Sequence, residues 1–182
     1  MKPIRNKKAR PPLDSEGLER LGLHYAGRYA TTRSKLAAYL ARKLRERGWG
    51  GEGEEPPESL VESLVERFAG LGYVDDRAFA SARTASLMRR GYGERRVDQA
   101  LRAAGIGEEE AAPARAEARG GAWAAALRFA ERKRIGPWAE SETDRDARRK
   151  AIGAMLRAGH PIDMARRLVE SRPGEIPESD DW

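Results

Sequence analysis

The sequence predicts an all-α protein made of tandem three-helix repeats, three units forming an elongated, curved body. Three observations lead there. Ala, Leu, Arg and Glu dominate, while β-branched residues are scarce and charged residues reach 35%, a balance that favours helix over strand. Apolar residues recur at steps of three and four, and glycines punctuate the runs, as amphipathic helices with glycine stops require. The same closing pattern then returns three times along the chain.

Asp14 or Ser15 can cap a first helix with Leu18, Leu21, Tyr25 and Tyr29 on one buried stripe. A second starts near Thr32, carries Leu36, Leu40 and Leu44, and ends at Gly48, where glycine accepts the left-handed conformation. Pro57 suits the first turn of a third, with Leu60, Val61, Leu64, Val65 and Phe68 as a wide stripe. Gly70 and Gly72 stop it, and Asp75 with Asp76 caps the next, from about Asp76 to Arg90. A break at Gly91 and Gly93 precedes a helix with Val97, Ala100, Leu101 and Ala104. The helix after Gly107 is poorly defined, since Pro113 limits its first turns, and Gly120 with Gly121 closes it. Trp123, Ala126, Leu127 and Ala130 mark the seventh helix, Asp144 to Ala158 the eighth, and Ile162, Ala165, Leu168 and Val169 the last.

The ends of the middle helices align. Leu44 precedes Gly48 and Trp49 as Leu101 precedes Gly105 and Ile106, and as Met155 precedes Gly159 and His160. Intervals of 57 and 54 residues separate the three glycines, near enough to one period to indicate an internal repeat. The expected organisation is a basic disordered tail over 1–13 and a first unit over 14–73 with an acidic linker at 50–57. A second unit over 74–120, a third over 121–172 and an acidic disordered tail over 173–182 complete it. Stacked units bury surface that one alone leaves wet, and a long surface suits a long polymer better than a small substrate.

The absence of cysteine removes disulfides, thiolate nucleophiles and cysteine metal sites, and it suits a reducing cytoplasm. Met1 to Pro12 lacks a signal-peptide core, and no run approaches the ~18 apolar residues of a membrane span. Of the net charge of +6, five come from Lys2, Arg5, Lys7, Lys8 and Arg10, while Glu175, Glu178, Asp180 and Asp181 make the other end acidic. Polyanions are therefore plausible partners.

Little here resembles a reaction centre, and the expectation is no enzyme, cofactor or metal. No second histidine or cysteine stands one helical turn from His24 or His160, so each reads as structural or surface. No nucleotide-binding or nucleophile-elbow motif is present, and Gly91-Tyr92-Gly93 reads better as a hinge between helices than as a phosphate loop. Asp75 and Asp76 are adjacent carboxylates without companions, which capping explains. The basic residues say more. Between Arg77 and Arg102 seven arginines face only Glu94 and Asp98, and Arg89, Arg90, Arg95 and Arg96 flank the hinge beside Tyr92, an exposed-type aromatic. Their planar forks suit phosphates or carboxylates, and an ordinary solvated face explains them equally. Arg132, Lys133 and Arg134, then Arg148, Arg149 and Lys150, repeat the theme, but Glu131, Asp144 and Asp146 dilute them and favour a solvated face there.

Leu71-Gly72-Tyr73-Val74-Asp75-Asp76-Arg77-Ala78-Phe79-Ala80 resembles the most distinctive signature of the RecX family. Arg90-Gly91-Tyr92-Gly93-Glu94-Arg95-Arg96-Val97, followed by Leu101 and Gly105-Ile106, is similar to its glycine-hinged basic helix. Trp123, Ala126, Ala130, Arg132 and Lys133 match its third unit, and Lys43-Leu44 with Arg47-Gly48 its first. His160-Pro161 departs from it, standing where an aromatic is usual. The resemblance spans roughly residues 18 to 170. It implies a curved cytoplasmic monomer, without cofactor, lying in the groove of the RecA–DNA filament and restraining strand exchange and repressor cleavage. RecA, with single-stranded or filament DNA, is the implied partner, and no membrane is involved. Contact candidates are Arg89, Arg90, Tyr92, Arg95, Arg96, Arg102, Arg132, Lys133, Arg149 and Lys150. Gly72, Tyr73, Asp75, Asp76, Phe79, Gly91, Gly93 and Gly105 carry the structural signature. The alternative is a free-standing helical DNA- or RNA-binding protein acting through phosphate contacts.

Overall fold

The computed structural model describes residues 11–51 and 57–179. Residues 1–10 of the expected basic tail, 52–56 of the linker and 180–182 of the acidic tail lie outside the described residues. The chain divides into two bodies, one through Asp75 and one from Asp76.

The N-terminal body holds α1 (Ser15–Arg28), α2 (Arg33–Arg47) and α3 (Pro57–Gly70). Two of the helix starts are capped by side chains: the Asp14 carboxylate accepts the Gly17 N–H at 2.8 Å, and the Thr32 hydroxyl accepts that of Lys35 at 3.2 Å. Leu18, Leu36, Leu40, Leu64 and Phe68 form the core. A Cβ on Gly22 would lie 2.9 Å from the Phe68 ring, so a glycine lets α1 approach α3.

Two expectations fail in this body. Leu13, assigned to a disordered tail, is buried. Its N–H donates to the Gly48 carbonyl at 2.9 Å, its carbonyl accepts from Gly50 at 2.9 Å, and Arg47 donates to the Pro11 carbonyl at 2.7 Å. Burying a leucine gives about 2 kcal/mol, enough to hold a short strap across the end of α2. The α1 stripe is also not buried throughout: Leu21 and Tyr25 are half-buried and Tyr29 is 51% exposed. Tyr29 has left the helix with extended φ and ψ, so the period of α1 no longer aims it inward.

The C-terminal body contains two helical triplets. The first is α4 (Asp76–Arg89), α5 (Glu94–Ala103) and α6 (Glu108–Gly120). Its core runs from Ala80 and Leu87 through Val97 and Leu101 to Ala111, Ala114 and Ala118. The helix α6, poorly defined in the sequence because Pro113 limits its first turns, runs unbroken with Pro113 inside it. Pro113 points to solvent while Ala111, Ala114 and Ala118 are buried, so burial of the alanine face outweighs one lost backbone bond. The second triplet is α7 (Ala122–Lys133), a 3₁₀ turn at Gly136–Trp138, α8 (Arg145–Arg157) and α9 (Ile162–Glu170). Phe129, Met155, Met164 and Leu168 lead its core. The segment after α9 is not wholly free, since Gly174 donates to the Pro137 carbonyl at 2.8 Å.

The glycine stops close alike. Gly72, Gly91, Gly105 and Gly159 all have positive φ. Following each, the N–H of Tyr73, Tyr92, Ile106 or His160 reaches back to Phe68, Leu87, Leu101 or Met155, a turn that satisfies the last carbonyls of the helix. Gly48 shares the positive φ but continues extended into Trp49, which pairs with Leu13. Among the described residues this bridge is the sole β pairing.

Candidate functional site

The geometry of the C-terminal body centres on Gly91-Tyr92-Gly93. Gly91 has φ of 75°, and a Cβ there would lie 2.7 Å from the Phe129 backbone nitrogen. A Cβ on Gly93 would lie 2.5 Å from the Gly159 carbonyl oxygen, and one on Gly159 2.5 Å from the Arg96 nitrogen. Three missing side chains thus let the α4–α5 turn seat against α7 and the α8–α9 turn. Gly93 donates to the Ala158 carbonyl at 2.9 Å, and Arg95 donates to that of Gly159 at 3.3 Å. These amides open α5, and carbonyls already occupy them, so the loop offers no vacant phosphate cradle. It is a packed joint.

His160 fills the joint from the other side. The ring is fully buried and Nε2 donates to the Gly91 carbonyl at 3.0 Å, which places its proton on that nitrogen. Phe129 lies 5.6 Å from it, ring to ring. Among the described residues Nδ1 has no hydrogen-bond partner, and burial, only partly offset by the Gly91 carbonyl, holds the imidazole below its usual range. Its role is structural, as expected, and His24 is exposed.

Around this joint the arginines separate by what they touch. The C-terminus of α4 carries the negative end of its peptide dipoles and open carbonyls. Arg128 donates to the Met88 carbonyl at 3.2 Å, and Arg132 donates to that of Arg90. Arg90 lies 5.2 Å and Arg132 5.9 Å from the centre of the Tyr92 ring, within cation–π range. Tyr92 is half-buried and packs against both cores, not exposed as its sequence context implied. Arg90, Tyr92 and Arg132 are thereby brought together across 42 residues of chain. Arg89, Arg90, Arg95 and Lys133 are exposed, and among the described residues none has an acidic partner.

Other candidates are committed elsewhere. Arg102 pairs with Asp98 at 2.9 Å, and Arg96 donates to Gln99 at 2.7 Å. Arg115, only 19% exposed, meets Asp98 at 2.8 Å and Glu108 at closer range. The hydrogen bond from Arg115 holds Glu108 below the usual carboxylate range, and the same bond raises Arg115. Asp75 is exposed immediately before α4, and Asp76 is buried as its first residue. Tyr73 sets its edge against Phe68, 5.6 Å away, while remaining 54% exposed, and Phe79 packs half-buried against the first-triplet core.

One feature of this body escaped the sequence reading. Arg149, beside Lys150 on α8, joins Arg145, Arg148 and Arg166 along an open groove of about 760 Å³ between α8 and α9, in which Asp146 and Glu170 are the acids. Arg145, Arg148, Arg149 and Ile152 stand at helical positions i, i+3, i+4 and i+7, a spacing that would have revealed the shared face. Arg149 and Asp146, both highly exposed, are 3.6 Å apart, a separation worth little in water. Among the described residues no cluster of three metal-ligating side chains occurs, and no helix is long and apolar enough to cross a membrane.

Residues 75–114, the span of α4, α5 and half of α6, match the family model described as RecX, second three-helix domain. The chain is 34% identical over 161 residues to the regulatory protein RecX of Myxococcus xanthus, covering 86% of each protein. It is 28% identical over 138 residues to that of Agrobacterium fabrum, covering 76% of this chain and 73% of the relative. Its fold is similar to the crystal structure of RecX from Lactobacillus salivarius, with a TM-score of 0.64 at 16% identity over 86% of this chain and 94% of that one.

Proposed function

Because this chain belongs to the RecX family of regulatory proteins, we propose that it acts without catalysis, by binding the RecA–DNA filament and restraining RecA in recombination and repressor cleavage. The observation that carries the reading is the basic corner at the joint. Arg89, Arg90, Arg95 and Lys133 project from a rigid seat and have no acidic partner among the described residues. A cation held without a counter-ion on a fixed frame is organised for an anion outside the molecule, whether filament phosphate or a RecA carboxylate. As a monomer in the cytoplasm, the protein would meet that filament through this face.

The test is the triple charge reversal Arg89→Glu, Arg95→Glu, Lys133→Glu, which spares Arg132 and its structural bond to α4. RecA ATPase and filament lifetime on single-stranded DNA should become insensitive to the variant at concentrations where the wild type shortens both. Equal inhibition by variant and wild type would move the contact elsewhere.

The arginine groove between α8 and α9 favours a second reading, a free-standing nucleic-acid-binding protein, because its four guanidinium groups suit phosphate without any filament. Salt separates the two. Affinity for naked single strands falls with log salt at about −0.7 per phosphate contact, whereas filament binding persists at ionic strength where naked binding is gone.

A further inference from the structure

A second surface, in the N-terminal body, has a different chemistry. Tyr25 of α1 stacks on Tyr39 of α2 with ring centres 4.2 Å apart and planes 12° from parallel. Tyr29 leans on Tyr25 at 5.3 Å and 50°. Arg28 stands 5.8 Å from the Tyr29 ring, while Arg42 and Lys43 stand 5.6 Å and 5.8 Å from that of Tyr39. Three of the five tyrosines in the chain therefore share one patch. On α2 the spacing of Tyr39, Arg42 and Lys43 puts ring and cations on one face, and on α1 Tyr25 and Arg28 lead to Tyr29 just past the helix end.

Packing accounts for part of the cluster, since Tyr25 and Tyr39 lean on the core of this body. It does not account for Tyr29, a residue left half exposed. Glu46 draws on Lys43 and Arg42, but Arg28 has no acidic partner among the described residues. A step of aromatic rings flanked by cations, ending in an open ring, matches a ligand with flat π faces and a regularly charged backbone.

We propose that Tyr29, extending the Tyr25–Tyr39 stack, is a base-stacking site for single-stranded nucleic acid, with Arg28 and Arg42 taking the adjoining phosphates. The site is distinct from the basic corner and needs neither RecA nor the filament reading. Its test is the anisotropy of a labelled oligothymidylate titrated with the purified full chain at low salt. Tyr29→Ala should weaken binding about tenfold, the loss of one stacked base. Tyr29→Phe should bind like the wild type, because the ring is what stacks. An abasic oligomer of equal length should bind wild type and Tyr29→Ala alike. Because Tyr29 is half exposed and outside the helix, folding of the variants is checked by an unchanged melting curve. Equal affinity of wild type and Tyr29→Ala for oligothymidylate, no binding by either, or the same tenfold loss on the abasic strand each overturns the proposal. The Arg89, Arg95, Lys133 triple reversal should leave the tenfold effect of Tyr29→Ala in place, whatever becomes of filament inhibition.

Discussion

Two faces of the C-terminal body carry arginine in similar density and use it differently. On the α5–α6 side, Arg77, Arg102, Arg115 and Arg119 each meet a carboxylate, from Glu109, Asp98, Glu108 or Glu94. At the α4–α7 corner, Arg128 and Arg132 meet backbone carbonyls, and Arg89, Arg90, Arg95 and Lys133 meet no acid among the described residues. The first face is a set of mutual neutralisations that makes modest contributions to stability. The second spends two cations on fixing a helix end and holds the rest outward. Arginine count alone, four against five, would hardly separate the two faces; the partner of each guanidinium does.

The contrast breaks most severely if the joint is removed. Gly91→Ala adds a Cβ 2.7 Å from the Phe129 nitrogen at a φ of 75°, and the combined overlap and backbone strain should cost about 3 kcal/mol. Denaturation followed by the fluorescence of Trp123 and Trp138 reads it, and filament inhibition should fall with it. A fully stable variant would mean the seat is looser than described. Next in size, Arg115→Gln deprives Asp98 and Glu108 of a shared partner and should lower stability by about 1 kcal/mol with filament inhibition unchanged. A functional loss at native stability would erase the distinction between the faces.

Acid gives a smaller and reversible effect. Burial holds the His160 imidazole below its ordinary 6.5, so the unfolded chain takes up a proton first as the pH drops. The contribution is whole above 6.5 and declines below it until the folded imidazole itself titrates. Melting temperature should therefore fall between pH 7 and 5.5, and His160→Phe should flatten that slope; an identical slope in both proteins would exonerate the histidine. Smallest of all, Arg89→Ala and Lys133→Ala should move stability by less than about 0.5 kcal/mol while weakening filament inhibition, and calorimetry beside a RecA ATPase assay sharpens the contrast from the functional side.

Helices bounded by glycine were readable because a stop and a period are local facts: Gly105 and Gly159 close their helices as their spacing implied. The signature around Asp75 and Gly91 led to the right family for the same reason. Pro113 left α6 poorly defined in the sequence because its penalty is local while the compensating burial of Ala111, Ala114 and Ala118 is tertiary. Leu13 was lost among charged neighbours, since nothing in the first residues announces that Gly48 and Gly50 would bond it. Within the candidate site, the cluster of Arg89, Arg90 and Arg95 on the hinge was visible in one short stretch. The meeting of Arg132 with Tyr92, and of Arg166 with Arg145, depends on how separate helices pack. Tyr25 and Tyr29 stand in plain view, but their spacing reads as a buried stripe, and nothing local singles out Tyr39.

The seat of α5 against α8 is written in main chain. Carbonyls of Ala158 and Gly159 at the end of one helix accept from amides of Gly93 and Arg95 at the start of another, so main chain splices the two helix ends. A connection of that sort is indifferent to most of the alphabet. Provided the three small residues persist, the surrounding side chains are free to drift or be redesigned, and the splice offers protein engineers a ready coupling for mounting a foreign helical module at a preset angle.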